Sequence, residues 1–100
     1  MATTTKALAR AAAATSSATL YTVPASTTAV ITNIAVTNTA GTAGTFSLLL
    51  DDVSIHTTTA IAANSTVYID LKQVLATTKT IKGFASATSI NFHISGVEIA

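Results

Sequence analysis

Short segments in which apolar and polar residues alternate recur from Leu20 to the end of the chain, each bounded by turn-forming residues. A period of two places successive side chains on opposite faces of an extended backbone, so each segment reads as a half-buried β-strand. Seven such segments at regular spacing, with no βαβ pattern among them, predict an all-β chain: an antiparallel β-sandwich, jelly-roll-like or Ig-like, of about seven to eight strands. The stretch LYTVPASTTAVITNIAVTN, Leu20 to Asn38, reads as the first hairpin. In it Val30, Thr32, Ile34 and Val36 share one side of a strand, and Ile31, Asn33, Ala35 and Thr37 share the other. Pro24 fixes its own φ and pushes Val23 toward an extended conformation, which ends the preceding strand.

The remaining segments follow in order. TAGTAG, Thr39 to Gly44, is a connection whose two glycines are free to take positive φ. Phe46, Leu48 and Leu50 alternate along the next strand, and Asp51-Asp52 stands where a tight turn is wanted before Val53, Ile55 and Thr57. Asn64 marks a turn before Val67, Ile69 and Leu71, with Tyr68 and Asp70 on the opposite face. LKQVLA, Leu71 to Ala76, carries the only internal helical spacing and suffices for one turn. Ile81 lies in the next strand, where Gly83 signals a bulge or a close backbone approach. Ile90, Phe92 and Ile94 form the cleanest alternation, and Gly96 is expected to break its register. The expected core is Leu20, Val23, Val30, Ile34, Val36, Phe46, Leu48, Leu50, Val67, Ile69, Leu71, Leu75, Ile81, Ile90, Phe92 and Ile94.

Upstream of Leu20 the texture changes. Met1 to Ser17 has no β-branched apolar residue, and KALARAAAA at Lys6 to Ala14 has high helix propensity over too few residues for a stable isolated helix. The chain therefore divides into an N-terminal arm, 1–17, and a sandwich domain, 18–100. The arm is expected to order only by docking, and Lys6, Leu8 and Arg10 are its candidate partner contacts.

Only 9% of the 100 residues are charged and the net charge is +1, while Ala and Thr supply about two fifths of the sequence. Such a chain lacks the self-repulsion that keeps monomers apart, and self-association or a place in a larger assembly is expected. Cysteine is absent, so no disulfide and no cysteine-based zinc site contributes. No apolar run reaches the roughly 18 residues of a membrane-spanning helix, so no membrane partner is expected.

The residues that carry chemistry elsewhere are sparse here. His56 and His93 have no sequence-adjacent carboxylate and no metal-ligand spacing, even with Asp51, Asp52, Asp70 and Glu98 as possible recruits, so no metal and no cofactor is expected. Asp51-Asp52 lacks the ligand spacing of a calcium loop and reads as turn chemistry. No serine stands in a nucleophile-elbow context, and no enzyme activity is expected. Lys72, Lys79 and Lys82 read as a solvated sheet edge rather than a nucleic-acid footprint. Tyr21 and Tyr68 alone offer an aromatic platform for a carbohydrate.

Three pieces together carry a family resemblance: LYTVP at Leu20 to Pro24, IAANSTVYIDL at Ile61 to Leu71 with VLATTKTI behind it, and the ending SINFHISGVEIA. Over most of residues 7 to 100 the chain resembles small β-sandwich virion proteins of tailed bacteriophages, found among head decoration (cement) and tail-associated structural proteins. It departs from their pattern at Ser26, where many relatives carry glycine. The resemblance implies a non-enzymatic structural protein, commonly a homotrimer, with no catalytic residues to transfer. It implies a capsid decoration protein on the virion surface, assembled in the bacterial host cytoplasm and bound to the major capsid protein or other virion proteins. The alternative it leaves open is a tail, baseplate or fibre module acting in attachment.

Overall fold

The computed structural model describes residues 3–100, and the described residues form eight β-strands and no helix. The strands are β1 (Thr3–Ala12), β2 (Ala18–Thr22), β3 (Thr28–Asn38), β4 (Gly44–Leu50), β5 (Val53–Ile61), β6 (Thr66–Leu75), β7 (Thr80–Ala85) and β8 (Ile90–Ile99). Antiparallel pairs join β1 to β8, β2 to β7, β3 to β6 and β4 to β5. The chain is thus one long antiparallel ribbon, closed at its tip by Asp51-Asp52. Folded over on itself, the ribbon gives two four-stranded sheets, sheet A in the order β1-β8-β3-β6 and sheet B in the order β2-β7-β4-β5. This β-sandwich has the wiring of a jelly roll, which decides between the two sandwich types left open by the sequence.

The ribbon corrects several local expectations. Leu20 to Asn38 is not a hairpin: β2 belongs to sheet B and β3 to sheet A, so Pro24 and its neighbours carry the chain across the sandwich. Among consecutive strands only β4 and β5 pair directly. Their turn has φ of 53° at Asp51 and 60° at Asp52, the left-handed pair that matches the twist of a two-residue hairpin. LKQVLA contributes no helical turn, because β6 runs on to Leu75 and pairs with β3 as far as Ala29.

No glycine takes a positive φ; Ser26, Asn64 and Thr78 do so at the turns after β2, β5 and β6. Ser26 adopts 57°, the region where a glycine is at ease. Its turn is secured by Thr27, whose hydroxyl donates to the Ala25 carbonyl at 3.1 Å, as the Ser65 hydroxyl does to Ala63 at 3.0 Å after the Asn64 turn.

The expected core is largely buried, with Phe46 of sheet B meeting Phe92 of sheet A edge to face at 6.4 Å between ring centres. Val67, Ile69 and Leu71 are half-buried against it. Val30 is the error. At Thr32 the register of β3 shifts against both neighbours, Thr32 being an extra residue against β8 and standing alone against Leu71 and Lys72 of β6, so Ala29 and Ile31 face inward before it and Ile34 and Val36 after it, while Val30 turns outward. Gly96 faces this bulge from β8, and the register breaks in the two flanking strands, at Leu8 and Thr32, while β8 continues to Ile99. At Gly83 it is core side chains rather than another backbone that come close: a Cβ there would stand 3.0 Å from a Leu20 methyl and 3.1 Å from a Leu48 methyl. Sequence alternation also missed Asn38, buried with its side-chain amide donating to the carbonyls of Thr42 (2.8 Å) and Ala62 (3.3 Å) and its oxygen accepting the Ala40 N–H (3.1 Å).

The N-terminal segment is part of the sandwich. Thr3 to Ala12 is an edge strand paired with β8 along its length, so the helical expectation for Lys6 to Ala14 is overturned. Leu8 and Ala13 lie in the core, and the Ala13 and Ala85 amides donate to the carbonyls of Ile90 and Ala14. Residue 17 is therefore no boundary in the fold, and Leu8 is core rather than a partner contact. The physical reason is that a nine-residue helix satisfies few of its own backbone groups, whereas β8 offers a whole ladder and a place to bury Leu8. Met1 and Ala2, the very start of the expected arm, lie outside the described residues.

Candidate interaction face

Residues paired across antiparallel strands share a face, so the register of sheet A fixes what its outer surface presents. One row across the four strands is Arg10, His93, Ala35 and Tyr68. The next is Ala7, Ser95, Asn33 and Asp70, and the one after that is Thr5, Val97, Val30 and Val74. Thr3, Ile99 and Thr28 complete that end. His93 is exposed between buried Phe92 and Ile94, which identifies these rows as the outward ones. Tyr68 is 73% exposed and Val74 66% exposed. The result is a broad surface with a tyrosine and an arginine at opposite edges of one row and three valines in line across another.

The three arm residues expected to act together are parted by a bulge at Leu8. Lys6 and Leu8 turn toward sheet B, Lys6 through Glu98 and Leu8 into the core, while Arg10 remains exposed opposite His93. Lys6 Nζ lies 3.2 Å from Glu98 Oε1, and the Tyr21 hydroxyl of β2 donates to the other carboxylate oxygen. These two hydrogen bonds, Tyr21's the stronger influence and Lys6's the next, hold the Glu98 carboxyl below the ordinary carboxylate range. Burial, and then the bond to Glu98, pushes the Tyr21 phenol well above its usual value. The group ties the two sheets together beside the start of β1.

The expected lysine edge is divided among separate ion pairs. Lys72 pairs with Asp70 at 3.7 Å, Lys79 with Asp51 at 3.6 Å and Lys82 with Asp52 at 2.7 Å. Every side-chain carboxylate among the described residues therefore has a lysine partner, and Arg10 is the one basic side chain among them outside such a pair. Exposed pairs of this kind add about 0–1 kcal/mol each, so their main effect is to neutralise the surface locally.

The two histidines sit on different sheets. His56 on β5 is half-buried, leaning on Phe46 at 5.3 Å and bonded through Nδ1 to the Thr59 hydroxyl at 3.1 Å, whereas His93 faces outward on β8. No group of three or more His, Asp or Glu side chains gathers as a metal site among the described residues.

Sheet B carries a cleft of about 160 Å³ lined by Thr15, Thr45, Phe46, Ser47, Thr58 and Phe84 among others. Its serine hydroxyls are committed to the fold: Ser47 Oγ accepts the Thr58 N–H at 2.9 Å, and Ser86 Oγ accepts the Thr45 N–H at 3.0 Å. Thr58 is itself strained, a β-branched residue at φ 47°.

The outward placement of Tyr68 and Asp70 was legible from their alternation with Val67, Ile69 and Leu71. Val74 was hidden by an irregularity in β6 at Leu71 and Lys72, two residues facing the single Thr32, which changes the facing of the residues that follow. Compared with known proteins, the chain matches no family model and no curated protein.

Proposed function

We propose that this chain is a non-enzymatic structural component of a tailed-bacteriophage virion, a capsid decoration protein that binds the outer surface of the head shell and stabilises it. The observation that carries the reading is the division of labour on its surface. Charges are consumed in local ion pairs, while exposed apolar and aromatic side chains stand on both sheets, Tyr68 and Val74 on sheet A and Val53 and Ile55 on β5 of sheet B. A surface of that kind favours lasting contact through fit and apolar burial over electrostatic capture of a diffusing ligand. The jelly-roll wiring is shared by viral capsid proteins and by lectins, so it suits a contact-making protein without choosing its partner. The resemblance of the LYTVP, IAANSTVYIDL and SINFHISGVEIA segments to phage virion proteins makes the choice.

Stabilisation follows by mass action, because a protein that binds the assembled shell and not its free subunits lowers the free energy of the assembled state. The free arm drops out of this account, since Thr3 to Ala12 is already committed to sheet A. The test is immunogold labelling of intact particles, together with co-sedimentation of the purified protein with empty head shells. Label on the head and saturable co-sedimentation support the reading. Label on the tail transfers the protein to an attachment structure, and no binding to either removes it from the virion surface.

A further inference from the structure

All four edge strands carry an irregular register: β1 at Leu8, β6 at Leu71 and Lys72, β2 at Leu20, and β5 between Ser54 and Thr59. Bulged edges resist the addition of another strand, so association through β-ladder extension is disfavoured on every side. What remains open to a partner is a face; Val53 and Ile55 lie exposed on the edge strand β5 of sheet B, but the outer face of sheet A is the one that carries the exposed tyrosine and a valine row running across its strands.

We propose that this face binds the same face of a second copy of the chain, related by a two-fold axis running parallel to the strands. Such an axis reverses the strand order, so β1 lies over β6 of the second copy and β8 over its β3, while each row meets itself. Arg10 then stands against Tyr68 of the second copy, and the same contact recurs on the other side of the axis. The one basic side chain outside an ion pair among the described residues thereby meets the most exposed aromatic ring, a cation–π pairing made twice. In the valine row, Val97 meets Val30 and Val30 meets Val97, and in the histidine row His93 meets the small Ala35, which leaves it room. The face is thus complementary to itself, as an isologous contact requires. Asp70 falls opposite Ala7 of the second copy and carries its own counter-charge in Lys72, 3.7 Å away, so this pair enters the contact locally neutral.

The area supports a stable pair. Four strands about 4.8 Å apart and ten residues long at about 3.3 Å per residue present roughly 600 Å² before side-chain relief is counted. That approaches the roughly 800 Å² per partner of a standard interface. The valine row alone falls well short, so the pairing takes the whole face, including Tyr68. The contact closes at two copies rather than the three implied by the resemblance to phage proteins, and it leaves the cleft on sheet B free for another partner.

The test is the mass of the full chain in solution, by light scattering after size exclusion and by sedimentation velocity. A dimer of the 10.1 kDa chain is expected. Val74→Lys and Tyr68→Ser, both at exposed positions, should give monomers with unchanged circular dichroism. Arg10→Ala should weaken the dimer about tenfold. Val53→Lys, equally exposed but on β5 of sheet B, should leave the dimer intact. A wild-type monomer or trimer, or a Val74→Lys protein that remains dimeric, overturns the proposal. Because shell binding is measured separately, a monomer that co-sediments with heads would sink the pairing and keep the virion reading, and a dimer that ignores heads would do the reverse.

Discussion

Replacing Gly96 by alanine isolates one steric term. Gly96 lies in β8 without a positive φ, so the backbone there accepts an L-residue and strain from φ is not at issue. Space is. A Cβ would stand 2.3 Å from the Val30 carbonyl oxygen, 2.9 Å from a Leu8 methyl and 3.3 Å from the Ile31 Cα. Ordinary carbon–oxygen contacts between strands are about 3.3–3.6 Å, so β3 must retreat by roughly 1 Å from β8, which lengthens the ladder bonds around Thr32. Two of the three obstacles are backbone atoms that no rotamer change can move. The cost belongs at the top of the overpacking range, about 3 kcal/mol, offset by about 0.4–1 kcal/mol from the stiffer unfolded chain. For a domain of this size a net loss of about 2–3 kcal/mol lowers the melting temperature by roughly 10–20 °C. Gly41→Ala is the companion, because nothing lies within 4 Å of its would-be Cβ and its φ is not positive. It should raise the melting temperature by a few degrees, from about 0.4–1 kcal/mol of lost unfolded-state freedom. Thermal unfolding followed by circular dichroism, at one fixed protein concentration, reads both. A Gly96→Ala protein melting within about 2 °C of wild type would falsify the close approach.

Four further outcomes follow from the same packing and hydrogen bonding. Leu8→Ala should cost about 2–3 kcal/mol in urea unfolding, as a core truncation does, whereas a residue on a free arm would cost nothing measurable. Asn38→Ala removes a buried amide that bonds the Thr42 and Ala62 carbonyls and the Ala40 N–H, and a loss of about 2 kcal/mol is expected in the same assay; a loss below about 1 kcal/mol contradicts those bonds. Thr58→Gly should raise the melting temperature by relieving about 1 kcal/mol of left-handed strain, and a lower value refutes the strain. Glu98 has a folded-state carboxyl lowered below its unfolded value, so its contribution is present above the ordinary carboxylate range and is lost as the pH falls through the folded value. Melting temperature against pH should therefore decline less steeply on the acid side in Glu98→Gln than in wild type, and parallel curves would dismiss the Tyr21–Glu98–Lys6 group as a source of stability.

How much was readable in advance depended on whether the signal was local. Alternation at Ile90 to Ile94 and Phe46 to Leu50 placed the right residues in the core, because a strand's facing is fixed by its own pleat. The Asp51-Asp52 turn was legible for the same reason, since two residues and their φ values make it. The rest was not local. Val30 alternates correctly with Thr32 and Ile34, yet a bulge at Thr32 turns it outward, and nothing in the alternation marks an extra residue among β-branched neighbours. Of the face on sheet A, Tyr68 could be read from the sequence, whereas its alignment with Arg10, some sixty residues away, exists only through the register of β8 and β3.

By itself, then, the sequence determined that this chain must be β throughout its alternating part, where it must turn, and that its surface carries little charge. Those are properties of single residues and their neighbours along the chain. Which strands pair, and hence that Leu20 to Asn38 spans two sheets, that the alanine-rich start becomes an edge strand, and that valines and a tyrosine share one open face, was decided by the tertiary structure. The physical reason is that a strand's backbone groups can be satisfied by any other strand. The choice is made by the arrangement that lets all eight pair at once while Phe46, Phe92 and their neighbours close over a common core.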